Sequence, residues 1–401
     1  MTSAAAPDPR DVRVAHVLKD GTPAATLERT ADGVRFDYRE DYLASGARAV
    51  ATSLPLRDEP VLTSSGAVPA FFANLLPEGR RLTALRRAVK TSADDELSLL
   101  LAVGSDPVGD VQVLVEPAEA HEPVVEVSGS FAELDFLELL EAHGIGDPSA
   151  LAGVQEKVSG RMLTVPLAHA GRAHLLKLEV PEFPLVVENE AFFLRLGAGL
   201  RHPVASAEVV RDRHGRPGLL VSRFDRVVGA HGLQRVAVED GAQVLGVHPA
   251  DKYSVTMERL ASALAGACRS RPLALRAVLQ QAAFAWATGN GDLHAKNVSV
   301  LGAAERQVAP IYDIPSTVPY GDSTFALPLA GRRDNLTAKA FRTFGSEIGL
   351  PQGVVDGVLT EVAQLVSGLP EQLLEGVVPW DEGHRRDIAR VLRRRRRDLT
   401  G

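Results

Sequence analysis

Gly289-Asn290-Gly291-Asp292-Leu293-His294-Ala295-Lys296-Asn297 is the stretch from which the rest of the chain can be read. Before it, Leu275, Val278, Leu279, Ala282 and Trp286 recur at helical spacing, and the two glycines mark where that helix stops. Asp292 therefore falls on a loop. Val298 to Leu301 and Gln307 to Tyr312 follow as strand-like runs on either side of a polar turn around Ala303-Ala304-Glu305, which predicts a hairpin. A hairpin returns the chain to its starting point, so Asp313 is expected beside Asn297. Three oxygen-bearing side chains, Asp292, Asn297 and Asp313, should converge on one spot.

That set suits phosphoryl transfer. Magnesium takes hard oxygen ligands and is usually held by one or two carboxylates plus substrate phosphates, a role open to Asn297 and Asp313. Asp292 would orient an attacking hydroxyl and accept its proton, with most of the barrier reduction coming from positioning and charge neutralisation. The interval between Asp292 and Asn297 equals that of the protein-kinase catalytic loop. The plain alternative is that Asp292 caps a turn and Asn297 satisfies local backbone. Upstream, Lys177 lies mid-strand in His174-Leu175-Leu176-Lys177-Leu178, where it would contact nucleotide phosphates and could pair with Glu190 on the next helix; otherwise it is a solvent-facing strand lysine. Gly153-Val154-Gln155-Glu156-Lys157-Val158-Ser159-Gly160 is either a phosphate-cradling loop built on backbone N–H groups or an ordinary turn. Arg223-Phe224-Asp225-Arg226 sits where a β-rich lobe hands over to a helical one. It could present backbone groups to an adenine ring, or its Arg and Asp could simply pair across a strand end. His294 has no histidine or cysteine partner at metal spacing and is read as a loop-stabilising residue.

The 401 residues, 45% apolar and 24% charged, lie in the globular range and exclude disorder as the main state. With 44 basic against 51 acidic residues, a globally basic nucleic-acid binder is not expected. Seven of the basic residues are lysines, so each lysine runs against a strong arginine bias and marks a place where a compact point charge is wanted. One cysteine, Cys268, excludes an internal disulfide framework and a cysteine-based zinc site. No apolar run is long enough for a membrane span and Met1 to Arg10 lacks a signal-peptide stretch, so a cytoplasmic protein with no membrane association is expected.

The chain opens as a β-meander, Val14 to Leu18, Ala24 to Arg29 and Val34 to Tyr38, with hairpin signals at Asp20-Gly21 and Asp32-Gly33. Helices are expected over Val68 to Leu76, Arg81 to Val89 and Asp94 to Val103, the last behind caps at Thr91 and Ser92, then a strand at Val111 to Val115. An acidic, proline-bearing segment at Glu116 to Pro123 marks a boundary. Beyond it come a helix at Phe131 to His143, strands within Leu151 to Pro166, at His174 to Val180 and at Pro217 to Arg223, and a helix at Glu188 to Leu200. Helices then dominate at Thr256 to Ala267, Leu273 to Thr288, Val354 to Ser367 and Arg385 to Arg397. The fold class is α+β and bilobal. Residues 1–121 would form a small extra α+β subdomain, 122–228 a kinase-like N-lobe, and 229–401 a mostly helical C-lobe.

Together, Leu76-Pro77-Glu78-Gly79, Val103-Gly104-Ser105-Asp106, Ala152 to Lys157, Arg223 to Arg226, Glu239-Asp240, Asp251-Lys252-Tyr253, Asp292 to Asn297 and Tyr312-Asp313-Ile314 resemble, in this order, the HipA family of toxin-antitoxin serine/threonine kinases. The resemblance implies a bilobal kinase-like fold with an extra N-terminal subdomain, ATP and Mg2+ as cosubstrates, and a bacterial protein substrate, glutamyl-tRNA synthetase for the best-known members, whose phosphorylation halts translation. It implies a helix-turn-helix antitoxin encoded nearby, through which operator DNA is met. Position by position, Asp292 matches the catalytic aspartate, Asn297 and Asp313 the metal ligands, Lys177 the nucleotide lysine, and Gly153, Val154, Gln155, Glu156 and Lys157 the phosphate loop, while Arg223 and Phe224 fall at the nucleotide-side linker. One slot departs. Family members often carry an autophosphorylated serine three residues before the loop glycine; here Ala150 stands there, with Ser149 beside it, so slow or absent self-inhibition is expected. Two other readings are a small-molecule phosphotransferase, which also uses an Asp-x4-Asn loop, and an inactive corepressor scaffold. The terminal run Arg393 to Arg397 reads either as a solvated helix face or as a contact for an acidic protein or DNA phosphate.

Overall fold

Asp20 and Gly21 both adopt positive φ, 51° and 73°, the primed turn that matches strand twist, and they join β1 (Val14–Lys19) to β2 (Thr22–Arg29). With β3 (Gly33–Tyr38), β4 (Val61–Ser64) and β5 (Val111–Leu114) these form an antiparallel sheet in the order β4-β3-β2-β1-β5. The computed structural model describes residues 7–117, 125–142, 162–229 and 232–401. One face of the sheet, carrying Val17, Leu27, Phe36 and Val113, is buried against Phe71, Phe72, Leu97, Leu99 and Leu100. The expected helix over Val68 to Leu76 is a single turn, Ala70–Ala73, because Pro69 starts it and Pro77 follows closely. The cap of Glu96–Val103 is Asp95, whose carboxylate accepts from the Ser98 N–H; Thr91, expected as the cap, instead donates its hydroxyl to Asp95.

A second five-stranded sheet is built from β6 (Val125–Val127), β7 (Leu163–His169), β8 (Arg172–Leu178), β9 (Ala207–Arg211) and β10 (Pro217–Ser222), in the order β6-β7-β8-β10-β9. Side chains alternate across a strand, and β8 uses both faces. Leu176 and Leu178 join Val165, Leu220 and Phe136 in one core, while Leu175 and Lys177 point the other way, toward the helical lobe. Lys177 pairs in register with Leu219 of β10, in the middle of the sheet. The helix expected at Phe131 to His143 begins as a single 3-10 turn, Phe131–Glu133, and resumes at Phe136–Ala142. The phosphate-loop candidates Gly153, Val154, Gln155, Glu156 and Lys157, with Ser149, Ala150 and Ser159, lie outside the described residues. After β10 the hairpin β11 (Arg226–Gly229) and β12 (Gly232–Arg235) straddles the boundary expected between residues 228 and 229.

The helical lobe is organised around Arg271–Thr288. The spacing of its apolar residues suggests one buried face, but the helix is buried nearly all round: Gln280 and Gln281 are as enclosed as Leu279 and Phe284. Each glutamine is satisfied. Gln280 donates to Glu361 at 2.6 Å and accepts from the His202 N–H, and Gln281 donates to the Asn297 carbonyl at 3.0 Å. Met257–Ala267, capped by Thr256, Gln352–Leu365 and Glu382–Thr400 pack around it. Among the described residues no helix is long and apolar enough to cross a membrane.

Candidate active site

Helix Arg271–Thr288 stops at Gly289, whose φ of 76° lets Asn290 donate its N–H back to the Ala285 carbonyl at 2.8 Å. Gly291 has no room for a side chain: a Cβ there would lie 2.6 Å from the Thr324 carbonyl oxygen and 2.7 Å from the Thr317 hydroxyl. Both glycines therefore fix the path of the loop. Asn290 folds it further, its side-chain oxygen accepting from the Asp292 N–H at 2.7 Å. Asp292 is fully buried, and the Tyr253 hydroxyl donates to its Oδ1 at 2.6 Å. Burial and the Asp292 charge push the Tyr253 phenol well above its ordinary range, so it remains a donor. Asn297 closes the turn by donating Nδ2 to the Asp292 carbonyl at 2.8 Å, which directs its amide oxygen the opposite way.

The expected hairpin is present but shorter than its sequence suggests: β14 (Ser299–Leu301) pairs with β15 (Gln307–Val308), and both extend the strand β13 (Val238–Asp240) into a small sheet. Beyond β15 the chain runs on as irregular backbone to Tyr312, whose hydroxyl donates to the Lys296 carbonyl at 2.7 Å and meets Ser299 at 2.6 Å. Asp313 is thereby set beside the loop, and its carbonyl accepts from Asn290 at 3.3 Å. Asp313 holds φ at 58°, a strained conformation for a residue other than glycine and one that recurs at functional sites.

From the second sheet Lys177 reaches across the cleft. Its ammonium lies 2.7 Å from Glu190 and 2.9 Å from Asp313. Burial disfavours its charge, but the two carboxylates outweigh this and raise its pKa. Glu190 is buried and faces Asp313 as well as Lys177, and its carboxyl is pushed up to about 7. His294 is enclosed, packs edge-on against the Tyr253 ring at 5.0 Å and is driven down to about 3 by burial, so it stays neutral.

A cavity of about 390 Å3 lies between the lobes, lined by Lys177, Glu190, Phe224, Lys296 and Asp313 and, from the first unit, by Glu78; Asp292 and Asn297, expected at the same spot, are buried behind it and are not among its lining residues. Arg223 also borders it, but its guanidinium is committed elsewhere: it pairs with Asp106 at 2.7 Å and Asp225 at 2.8 Å. Arg226 meets the same two carboxylates at 2.6 and 2.7 Å. This buried cluster clamps the Asp106 loop of the first unit onto the segment between the two lobes. Phe224 packs its ring 5.8 Å from Tyr312. Sequence reasoning gave no role to Tyr253, Lys252 or Glu78, although all three stand in the quoted motifs and Lys252 is one of the seven rare lysines.

The description HipA-like C-terminal domain matches residues 149–369, and HipA N-terminal domain matches residues 15–114. "Putative kinase Y4mE" of Sinorhizobium fredii is 32% identical over 391 residues, which cover 91% of this chain and 92% of the relative. The serine/threonine-protein kinase toxin HipA of Shewanella oneidensis is 27% identical over 89% of this chain and 88% of its own. A solved structure of Shewanella oneidensis HipA, in complex with HipB and its operator DNA, matches with a TM-score of 0.74 across 96% of both chains at 22% identity, which establishes a shared bilobal fold.

Proposed function

This chain belongs to the HipA family, and from the geometry of its cleft we propose that it is a serine/threonine protein kinase using ATP and Mg2+. The observation that carries the reading is that Lys177, Glu190 and Asp313 meet at one cavity between the lobes, while Asn290 ties the loop of Asp292 and Asn297 to Asp313. The donor set fits magnesium: Asp313 offers a carboxylate and Asn297 an amide oxygen turned away from its own hydrogen bond, both hard ligands of the kind that leave remaining positions to phosphate and water. Held there by Asp313 and Asn297, Mg2+ would neutralise the negative charge of the phosphates during transfer.

In this reading Lys177 holds the nucleotide phosphates and Glu190 holds Lys177, with Gly153 to Lys157 taken as the phosphate loop. Asp292 receives the proton of a serine or threonine hydroxyl as that oxygen bonds to the γ-phosphorus and ADP departs. The Tyr253 hydrogen bond fixes the rotation of the carboxylate, so the acceptor is oriented before substrate arrives. The neutral His294 adds no competing acid. The partners that follow are a bacterial protein substrate, glutamyl-tRNA synthetase by family resemblance, whose modification would arrest translation, and a helix-turn-helix antitoxin that brings operator DNA. The antitoxin reading draws on the assembly described for the Shewanella oneidensis protein.

The deciding experiment incubates the purified chain with γ-labelled ATP, Mg2+ and a cell lysate. A labelled protein band that disappears with Asp292→Asn supports the protein-kinase reading. Label that appears only in small molecules would favour a small-molecule phosphotransferase, and ATP binding without any transfer would favour the corepressor scaffold.

A further inference from the structure

Glu78 belongs to the first unit, at the start of helix Gly79–Val89, yet its carboxylate lies among groups of the helical lobe. One oxygen contacts the Lys252 ammonium and the other lies 3.2 Å from Lys296. Those lysines come from different segments, and each is the chain neighbour of a residue that shapes the site. Lys252 precedes Tyr253, the donor to Asp292; Lys296 precedes Asn297, which closes the loop. The segments also touch directly, since Ala295 donates its N–H to the Lys252 carbonyl at 3.2 Å. Lys296 is further anchored to the first unit by donating to the Asn74 carbonyl at 2.8 Å.

We infer that Glu78 is a positioning residue: a carboxylate supplied by the N-terminal unit that holds Lys252 and Lys296 together and so sets Tyr253 and Asn297 around Asp292. The inference rests on the kinase reading for its catalytic consequence but not for its geometry. Without Glu78, two ammonium groups would face one another across a partly enclosed space, and like charges at such range repel. The carboxylate is suited to the task. Burial raises its proton affinity, but Lys296 and then Lys252 outweigh that and hold it at about 2, so it is ionised at any working pH. Asp240 does not substitute for it, because it stands 3.9 Å from Lys296 while its other carboxylate oxygen accepts the Gln243 N–H at 2.8 Å as a helix cap.

The test compares the full chain with Glu78→Gln, Glu78→Asp and the double variant Glu78→Gln with Lys252→Met. Phosphoryl transfer, ATP affinity and amide hydrogen exchange of the peptides covering residues 249–256 and 289–301 are measured on each. Glu78→Gln should lower kcat about tenfold or more while changing KM for ATP less than about threefold, since small misplacement of reacting groups costs rate rather than binding. Exchange should quicken in both peptides and stay unchanged in the sheet over residues 14–38. Removing the Lys252 charge as well relieves the repulsion, so the double variant should recover part of the protection and part of the rate, and Glu78→Asp should fall between. Wild-type exchange in Glu78→Gln, or faster exchange spread through the whole chain, would overturn the inference. If the wild-type chain transfers no phosphate, the kinase reading fails, while the exchange comparison still judges Glu78.

Discussion

Asp292 and Asp313 are carboxylates of two segments tied together by Asn290, yet their neighbours prepare them for different work. Asp292 is buried against the Tyr253 hydroxyl, whereas Asp313 is held by the Lys177 ammonium on a strained backbone. Asp313→Ala should therefore abolish Mg2+-dependent ATP binding, and Asp292→Ala should leave ATP affinity nearly intact while removing transfer; calorimetry with and without Mg2+ separates them, and equal loss of binding in both would refute the assignment. Tyr253→Phe keeps the ring against His294 but deletes the donor. A hydrogen bond to a charged group contributes roughly 1.5–3 kcal/mol, so kcat should fall about tenfold or more at unchanged ATP affinity. At this scale the chain was legible where chemistry restricts residue choice. The spacing of Asp292, Asn297 and Asp313 and the pairing of Lys177 with Glu190 could be anticipated; the Tyr253 contact could not, because 39 residues separate it from Asp292 and a lone tyrosine carries no periodic signal.

The Asp292 loop is an element whose shape depends on what it cannot contain. Gly291→Ala would drive a methyl group into the Thr324 carbonyl, and thermal unfolding should show a loss of about 1–3 kcal/mol together with reduced activity. The segment between the lobes depends instead on what it must contain. Asp225 is buried with Arg223 and Arg226 and accepts the Gly109 N–H at 3.0 Å. Burial raises its pKa, but the guanidinium contacts and that N–H more than compensate and hold the carboxyl below its ordinary range. The stabilisation it gives is thus present above the ordinary carboxylate pKa and is lost as pH falls through the depressed value of the folded state. Asp225→Asn should cost about 3–5 kcal/mol at neutral pH by leaving two buried guanidiniums short of a partner, and it should flatten the acid limb of the stability curve measured by denaturant titration. Element type was readable wherever period was strong, as in the opening meander. Extent was not: the second hairpin strand and the helix near Pro69 are shorter than their apolar runs, since strand pairing and proline placement stop them.

Across the whole molecule, the arginine run at the C-terminus shows how tertiary context reassigns a sequence signal. Arg395 is buried, stacks 3.9 Å over the Trp286 ring and donates to the Trp286 and Ser323 carbonyls, while Arg396 donates to the Ala363 carbonyl and Arg393 pairs with Glu371. Truncation after Leu392 should therefore lower the melting temperature of the lobe. The triple variant Arg393→Ser, Arg394→Ser, Arg397→Ser should leave melting near wild type, so only the latter can test whether exposed arginines serve an acidic partner, through the salt dependence of assembly. The amino-acid order by itself determined the alternation that turns Lys177 toward the helical lobe, the glycine stop before Asp292, the hairpin that brings Asp313 back, and the β-rich then helical succession of a bilobal α+β chain. These follow from local rules of period, turn and spacing, which act over a few residues. Only the tertiary structure decided that Glu78 enters the cleft between Lys252 and Lys296, that Asp106 clamps Arg223 and Arg226, and that Arg395 is a core residue rather than a surface charge. Those contacts join residues more than 100 positions apart, and they exist because packing two sheets and a helical lobe leaves buried charges that must find partners wherever the chain has placed them.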